Sequence, residues 1–156
     1  MRKKYGRDAG YYKYEGDWSF DIPVTVDDSQ TEVLELNDTN DAGIGLKSVI
    51  RTPYELTVNE LYKEGSNSDC FMVALDANGN TLPYNESTGN CNNFAIQDRD
   101  ISTVDIYFLD YVQYMDELKG YYWSDDYEEK AKTRTFKQLL DERAVAGTEV
   151  HFDTDK

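Results

Sequence analysis

The chain has 156 residues, 16 basic and 31 acidic, and a formal net charge of −15. That length suits one domain with a substantial core, and 13 Tyr, 6 Phe and 2 Trp exclude a wholly disordered polymer. Arg2, Lys3, Lys4, Arg7 and Lys13 precede Glu15, leaving 11 basic against 30 acidic residues from there on, a field that repels phosphate backbones and anionic lipid and so excludes nucleic acid.

Residues 1–16 read as a basic, Gly- and Tyr-rich linker with a short strand around Tyr11 to Tyr14. Met1 to Lys4 resembles the charged start of a signal peptide, but no apolar run follows it. No stretch approaches the roughly 18–20 apolar residues that span a bilayer. The chain is therefore either cytosolic or the excised soluble part of a membrane-anchored protein, and the basic start suits a linker at such a cut.

One domain is expected over residues 17–153. Trp18, Phe20, Ile22 and Val24 alternate with Ser19, Asp21 and Pro23, the period of a half-buried strand, with Pro23 placing it at an edge. Thr31 to Leu36 is a second strand, and Asn37 to Gly43 a loop by composition. Ile44 to Ile50 and Leu56 to Val58 follow, separated by a Thr52-Pro53 break that could carry the chain from one sheet to another.

Cys70 to Leu75 is apolar and β-prone, and Asn78-Gly79 after it predicts a type I′ hairpin turn with positive φ at both residues. Asn85 to Asn93 reads as a polar loop, Phe94 to Ile96 as a short strand, and Val104 to Leu109 as an alternating one. A helical insertion is expected over about 111–146. Its first turn would place Val112, Met115 and Leu118 on one face. A longer helix would be capped by Asp125 or Asp126, with Asp125 and Glu128 matching a capping box, run to about Ala144 and end before Gly147. Thr148 to Phe152 closes as a last strand. Seven or eight short strands with one late helical insertion predict a mainly β, Ig-like antiparallel sandwich.

The chemistry-bearing residues are sparse. Asp76, Asn78 and Asn80 open like an EF-hand loop, but Thr81 and Ser87 stand where glycine and glutamate are required, so a turn explains them. A looser calcium site among Asp98, Asp100, Asp105, Asp110 and Asp116 competes with plain solvated carboxylates. His151 is the sole histidine and has no nucleophile motif near it. No Gly-rich phosphate loop or Cys/His metal spacing occurs. The expectation is a non-enzyme with no cofactor.

Cys70 and Cys91 are the only cysteines. A disulfide between them would stabilise by about 3 kcal/mol in the chain-entropy model, and two thiols are equally compatible with the sequence. Tyr121, Tyr122 and Trp123, followed by Ser124 and two aspartates, suit an aromatic ligand-binding patch if exposed, or core packing of the insertion if buried.

Gly16, Trp18, Phe20, Ile22 and Val24, the Thr52-Pro53 break between two strands, and the turn from Asp76 to Gly79 together resemble a known family. It is the Ig-like extracytoplasmic C-terminal domain of unknown function from anti-sigma-factor-like single-pass membrane proteins of Gram-positive bacteria. The resemblance covers roughly Glu15 to Leu109, and Tyr111 to Ala146 departs from it. It implies an exported module of unknown ligand, attached to a membrane protein that restrains a sigma factor, and it carries no defined site residues. The strand pattern, the acidity, the basic start and the lack of catalytic constellations lead to the expectation of an extracytoplasmic, cell-surface interaction domain that meets a protein or cell-wall component. A carbohydrate-binding or adhesive module using Tyr121, Tyr122 and Trp123 is the alternative.

Overall fold

A computed structural model describes residues 16, 19, 21–23, 30–66 and 69–153, with the backbone of residues 7–8 and 11–12. In chain order the strands are β1 (Arg7–Asp8), β2 (Tyr11–Tyr12), β3 (Glu32–Thr39), β4 (Ile44–Arg51), β5 (Glu55–Tyr62), β6 (Cys70–Leu75), β7 (Tyr84–Thr88), β8 (Cys91–Ala95), β9 (Thr103–Asp110) and β10 (Ala146–His151). Among the described residues β1 and β2 pair only with each other. The other eight form two antiparallel sheets, one of five strands in the order β3-β4-β5-β8-β7 and one of three in the order β10-β9-β6. Between β9 and β10 lie α1 (Tyr111–Gln113), a π-helical turn (Tyr114–Leu118), α2 (Lys119–Tyr122), α3 (Tyr127–Ala131) and α4 (Phe136–Arg143). The fold is mainly β, two sheets with one helical segment, as the sequence predicts.

Alternation within the strands builds two cores. Leu46, Val49, Leu56, Val58 and Phe94 of the larger sheet meet Met72, Ala74, Ile106, Phe108 and Val150 of the smaller one. A bulge after Leu46 keeps Val49 on the core face despite the odd spacing. On the far side of the smaller sheet, Val73, Leu75, Tyr107 and Leu109 pack against Tyr114, Leu118, Phe136, Leu139 and Leu140 of the helical segment. β6 and β9 are thus covered on both faces, which is why Cys70 to Leu75 and Val104 to Leu109 are almost continuously apolar. The Tyr107 hydroxyl also donates to Asp141 at 2.6 Å, and Lys137 pairs with Asp105 at 2.5 Å, tying α4 to β9.

Several local expectations are corrected. Thr52-Pro53 does not move the chain between sheets. Glu55 N–H donates to the Thr52 hydroxyl and Thr52 N–H to the Glu55 carbonyl, closing a tight turn that pairs β4 with β5 in one sheet. The sheets are exchanged instead between β5 and β6, β6 and β7, and β8 and β9. Residues Asn37 to Thr39, read as loop, continue β3 past a bulge with Asn37 at φ 52°. Gly45 makes that approach possible, since a Cβ there would fall 2.0 Å from the Asp38 carbonyl oxygen.

The turn after β6 is not type I′, because only Gly79 has positive φ. Asp76 accepts from the Asn78 and Asn80 amides, both at 2.9 Å, and Gly79 N–H donates back to the Asp76 carbonyl. That is a type I turn ended by a left-handed glycine. Most of the expected loop from Asn85 to Asn93 is strand: β8 already begins at Cys91, and before it lies β7, whose five residues are all exposed and therefore look like loop. The strand expected between Trp18 and Val24 lies largely outside the described residues. At residues 21–23 no ladder is present, and Ile22 is 72% exposed.

The long helix is two helices. Thr135 accepts from Gln138 N–H and the Gln138 side chain accepts from Thr135 N–H, a capping box that starts α4 afresh. Asp126 precedes α3 without a side-chain cap bond. α4 ends at Arg143, and Gly147 lies inside β10 beneath the Tyr107 ring. The five-residue π turn, closed from Lys119 N–H to the Tyr114 carbonyl, rotates the preceding face. Tyr114 and Leu118 are buried while Val112 and Met115 are exposed. Replacing Thr135 with Ala should cost about 1 kcal/mol, measured as a shift of the urea midpoint at constant slope.

Candidate functional site

β6 is an edge strand, so its outer side is the open flank of the smaller sheet. Leu82 N–H donates to the Ala74 carbonyl and Asp76 N–H to the Asn80 carbonyl, so Ala74 and Asp76 direct their backbone groups away from β9. Met72 shares their parity and points its N–H and C=O the same way. The Thr81–Leu82 segment covers only the far end of this flank through a single bridge between Leu75 and Thr81. Among the described residues nothing pairs with Met72 there. Two cavities adjoin this stretch, and Phe71, Met72 and Tyr84 line both.

The first cavity, about 290 Å³, is aromatic. Tyr84, Phe94, Tyr114, Tyr122, Trp123 and Phe136 contribute rings to it, with Arg99 at the rim. The rings brace one another: Phe71 stacks on Tyr114 at 4.2 Å, and Tyr122 touches Phe136 at 4.7 Å and Trp123 at 5.1 Å. Arg99 is engaged with buried Asp76 at 3.5 Å.

The second cavity, about 440 Å³, is a polar mouth at the end of the inter-sheet core. Leu56, Val58, Glu60 and Tyr62 follow each other on one face of β5. The first two are fully buried, so Glu60 carries a carboxylate in a core-facing position. Asn92, itself buried on β8, donates to it at 2.7 Å. Burial pushes the Glu60 pKa up, against the opposing effects of the Asn92 hydrogen bond and of the neighbouring Tyr62 hydroxyl. The Tyr62 hydroxyl is sealed from solvent without a well-formed hydrogen bond, and burial followed by the Glu60 charge raises its pKa. Among the described residues no cation pairs with Glu60.

The aromatic triplet divides. Trp123 is 69% exposed and Tyr122 half-buried, and both line the groove. Tyr121 turns the other way: its hydroxyl donates to the Arg134 carbonyl at 2.6 Å and its ring lies against Lys130 and Tyr127. Cys70 and Cys91 are thiols, not a disulfide, and sit in different sheets. Burial and then neighbouring carboxylates raise both pKa values, the reverse of an activated nucleophile.

His151 is exposed on β10 beside Glu149 and Thr103. Three of the five carboxylates considered for calcium have separate partners: Asp100 binds Ser102, Asp105 binds Lys137 and Asp110 caps α1. The described residues bring no three candidate metal ligands together, and no described helix is long and apolar enough to cross a membrane.

No protein-family profile, curated protein or solved structure matches this chain.

The groove must therefore be judged on its own chemistry. Among the described residues it offers unpaired strand backbone at Met72, a wall of rings and one half-buried carboxylate. Sequence reasoning singled out Tyr122 and Trp123 but not Glu60, Met72 or Asn92. The signal for Glu60 was present, as an acid at the third place in an alternating Leu56, Val58, Glu60, Tyr62 series.

Proposed function

We propose that this chain is a non-catalytic, extracytoplasmic interaction domain that holds a protein partner in the groove beside β6, as part of a membrane-anchored, anti-sigma-factor-like regulator. The observation that carries the reading is the Met72 edge, unpaired among the described residues and lying between an aromatic wall and a polar mouth. Edge strands are normally covered or charged, and one left open beside apolar rings is a template for another chain. Against catalysis, Glu60 is the one carboxylate among the described residues lining the groove, where acid–base hydrolysis needs a facing pair, and the Cys70 thiol is suppressed rather than activated. The extracytoplasmic setting and the regulator rest on the resemblance given by the Gly16-to-Val24 pattern and on the acidity of the chain.

A carbohydrate-binding module is favoured by one observation, the exposure of Trp123. A sugar platform wants several open ring faces, and here Tyr121 and Tyr122 are engaged inside the helical segment.

Displayed random peptides and a glycan array, each presented to the wild-type chain and to Trp123→Ala, separate the readings. Peptide ligands whose affinity falls at least tenfold with Trp123→Ala are expected, since ring anchors at interface centres typically cost about 2 kcal/mol or more on truncation. Binding from either pool that ignores Trp123→Ala would remove the groove from the function.

A further inference from the structure

We infer that the occupant of this groove is an extended, cationic peptide segment of a partner protein. It adds to β6 as a fourth strand of the smaller sheet, setting a Lys or Arg side chain at the Glu60–Asn92 mouth and an apolar side chain against Trp123. This rests on the reading of the groove as the binding surface and goes further by naming the chemistry of the ligand.

Backbone geometry selects an extended chain. The Met72 N–H and C=O point outward in register with the Ala74 carbonyl, which Leu82 already uses. Around Met72, from Phe71 to Val73, the strand advances about 7 Å at roughly 3.3 Å per residue, room for about three added residues centred on the Met72 pair. A globular sugar or flat ring would leave those backbone groups unmet, whereas a strand satisfies them in pairs.

Charge selects a cation. Glu60 occupies a core-facing position, the groups beside its carboxylate are the neutral Asn92 amide and Tyr62 hydroxyl, and no described cation pairs with it. Asp69 and Asp110 add negative charge at the neighbouring Cys70. The cation at the other end, Arg99, is tied to Asp76. A half-buried carboxylate held without a counter-charge is an unfavourable arrangement that an incoming ammonium or guanidinium corrects. The net charge of −15 steers such a ligand inward.

The test uses the full chain and two synthetic libraries of acetylated, amidated nonapeptides, identical except for a fixed Lys or a fixed Glu at the central position. Retention of the Lys library is expected, with apolar residues selected near the Lys. Affinity of the best peptide should fall at least tenfold with Trp123→Ala and with Glu60→Gln, each variant checked for an unchanged far-ultraviolet spectrum. N-methylating that peptide one residue at a time should cost tenfold or more at alternate positions only, the period of a paired strand. Preference for the Glu library, or losses without that period, overturns the inference. If neither library binds but a glycan or displayed protein does so through Trp123, the peptide chemistry fails and the groove stands; if nothing binds through Trp123, both fail. Amide exchange of Met72 in the free chain gives the remaining outcomes. Slow exchange at high dilution would mean that the chain covers its own edge, and protection growing with concentration would mean a second copy does. Either overturns the inference.

Discussion

Phe136→Ala is expected to lower the unfolding free energy by about 3–5 kcal/mol, among the largest effects of any single substitution outside the inter-sheet core. Phe136 opens α4, is almost completely buried, and sits among Tyr122, Leu139 and Leu140 over the outer face of β6 and β9. Its removal leaves a cavity that the neighbouring rings cannot fill, because Tyr114 is held by stacking on Phe71 and Tyr122 by contacts with Trp123 and Tyr127. Marginal domains hold only about 5–15 kcal/mol in all, so this loss is a large share. The measurement is a urea titration followed by circular dichroism. A cost below 1 kcal/mol would mean that the helical segment is not packed on the sheet as described. Because Phe136 also lines the aromatic cavity, peptide affinity should fall in the same variant even in the fraction that remains folded.

Glu60→Gln is expected to move stability and binding in opposite directions. Burial holds the Glu60 pKa above its ordinary value of 4.5. A carboxylate whose folded pKa lies above its unfolded value costs stability at neutral pH. That cost fades as pH falls through the raised value and is gone below the ordinary one. Glutamine keeps an oxygen for Asn92 and carries no charge, so the variant should melt higher than wild type at neutral pH and no higher in acid. Binding of a basic peptide should weaken by about 1.5–2 kcal/mol, tenfold or somewhat more, through loss of the charge pair. A variant destabilised at neutral pH would place Glu60 among structural carboxylates. Gain in stability with loss of affinity is the pattern of a residue kept for its ligand at a cost to the fold.

The two-sheet architecture was legible because period-two alternation survives in the sequence wherever a strand has one face in the core. Leu56 and Val58, and Val104, Ile106 and Phe108, are all buried where that pattern puts them. It failed where no face is buried: β7 is exposed throughout, so Tyr84 to Thr88 has the composition of a loop and only pairing with β8 makes it a strand. Helix breaks were missed for a different reason. Asp125 to Glu128 and Thr135 to Gln138 both satisfy a capping pattern, and the second wins because Phe136, Leu139 and Leu140 then face the sheet. The π turn was invisible to a reading that assumes 3.6 residues per turn.

The candidate site was half legible. Trp123 and Tyr122 stood out as rings beside acids, but the groove they line is made by tertiary pairing. No local pattern shows that β6 is an edge, that Thr81 covers only part of it, or that Asn92 faces Glu60 across β5 and β8.

The most direct measurement is a backbone-amide and indole shift map of the labelled chain, recorded while a Trp123-dependent peptide is added. The largest changes should fall on Phe71 to Val73, Tyr84 and the Trp123 indole, flanking one strand edge. Changes confined to β3 and β4, or scattered evenly over the acidic surface, would contradict a partner seated beside β6.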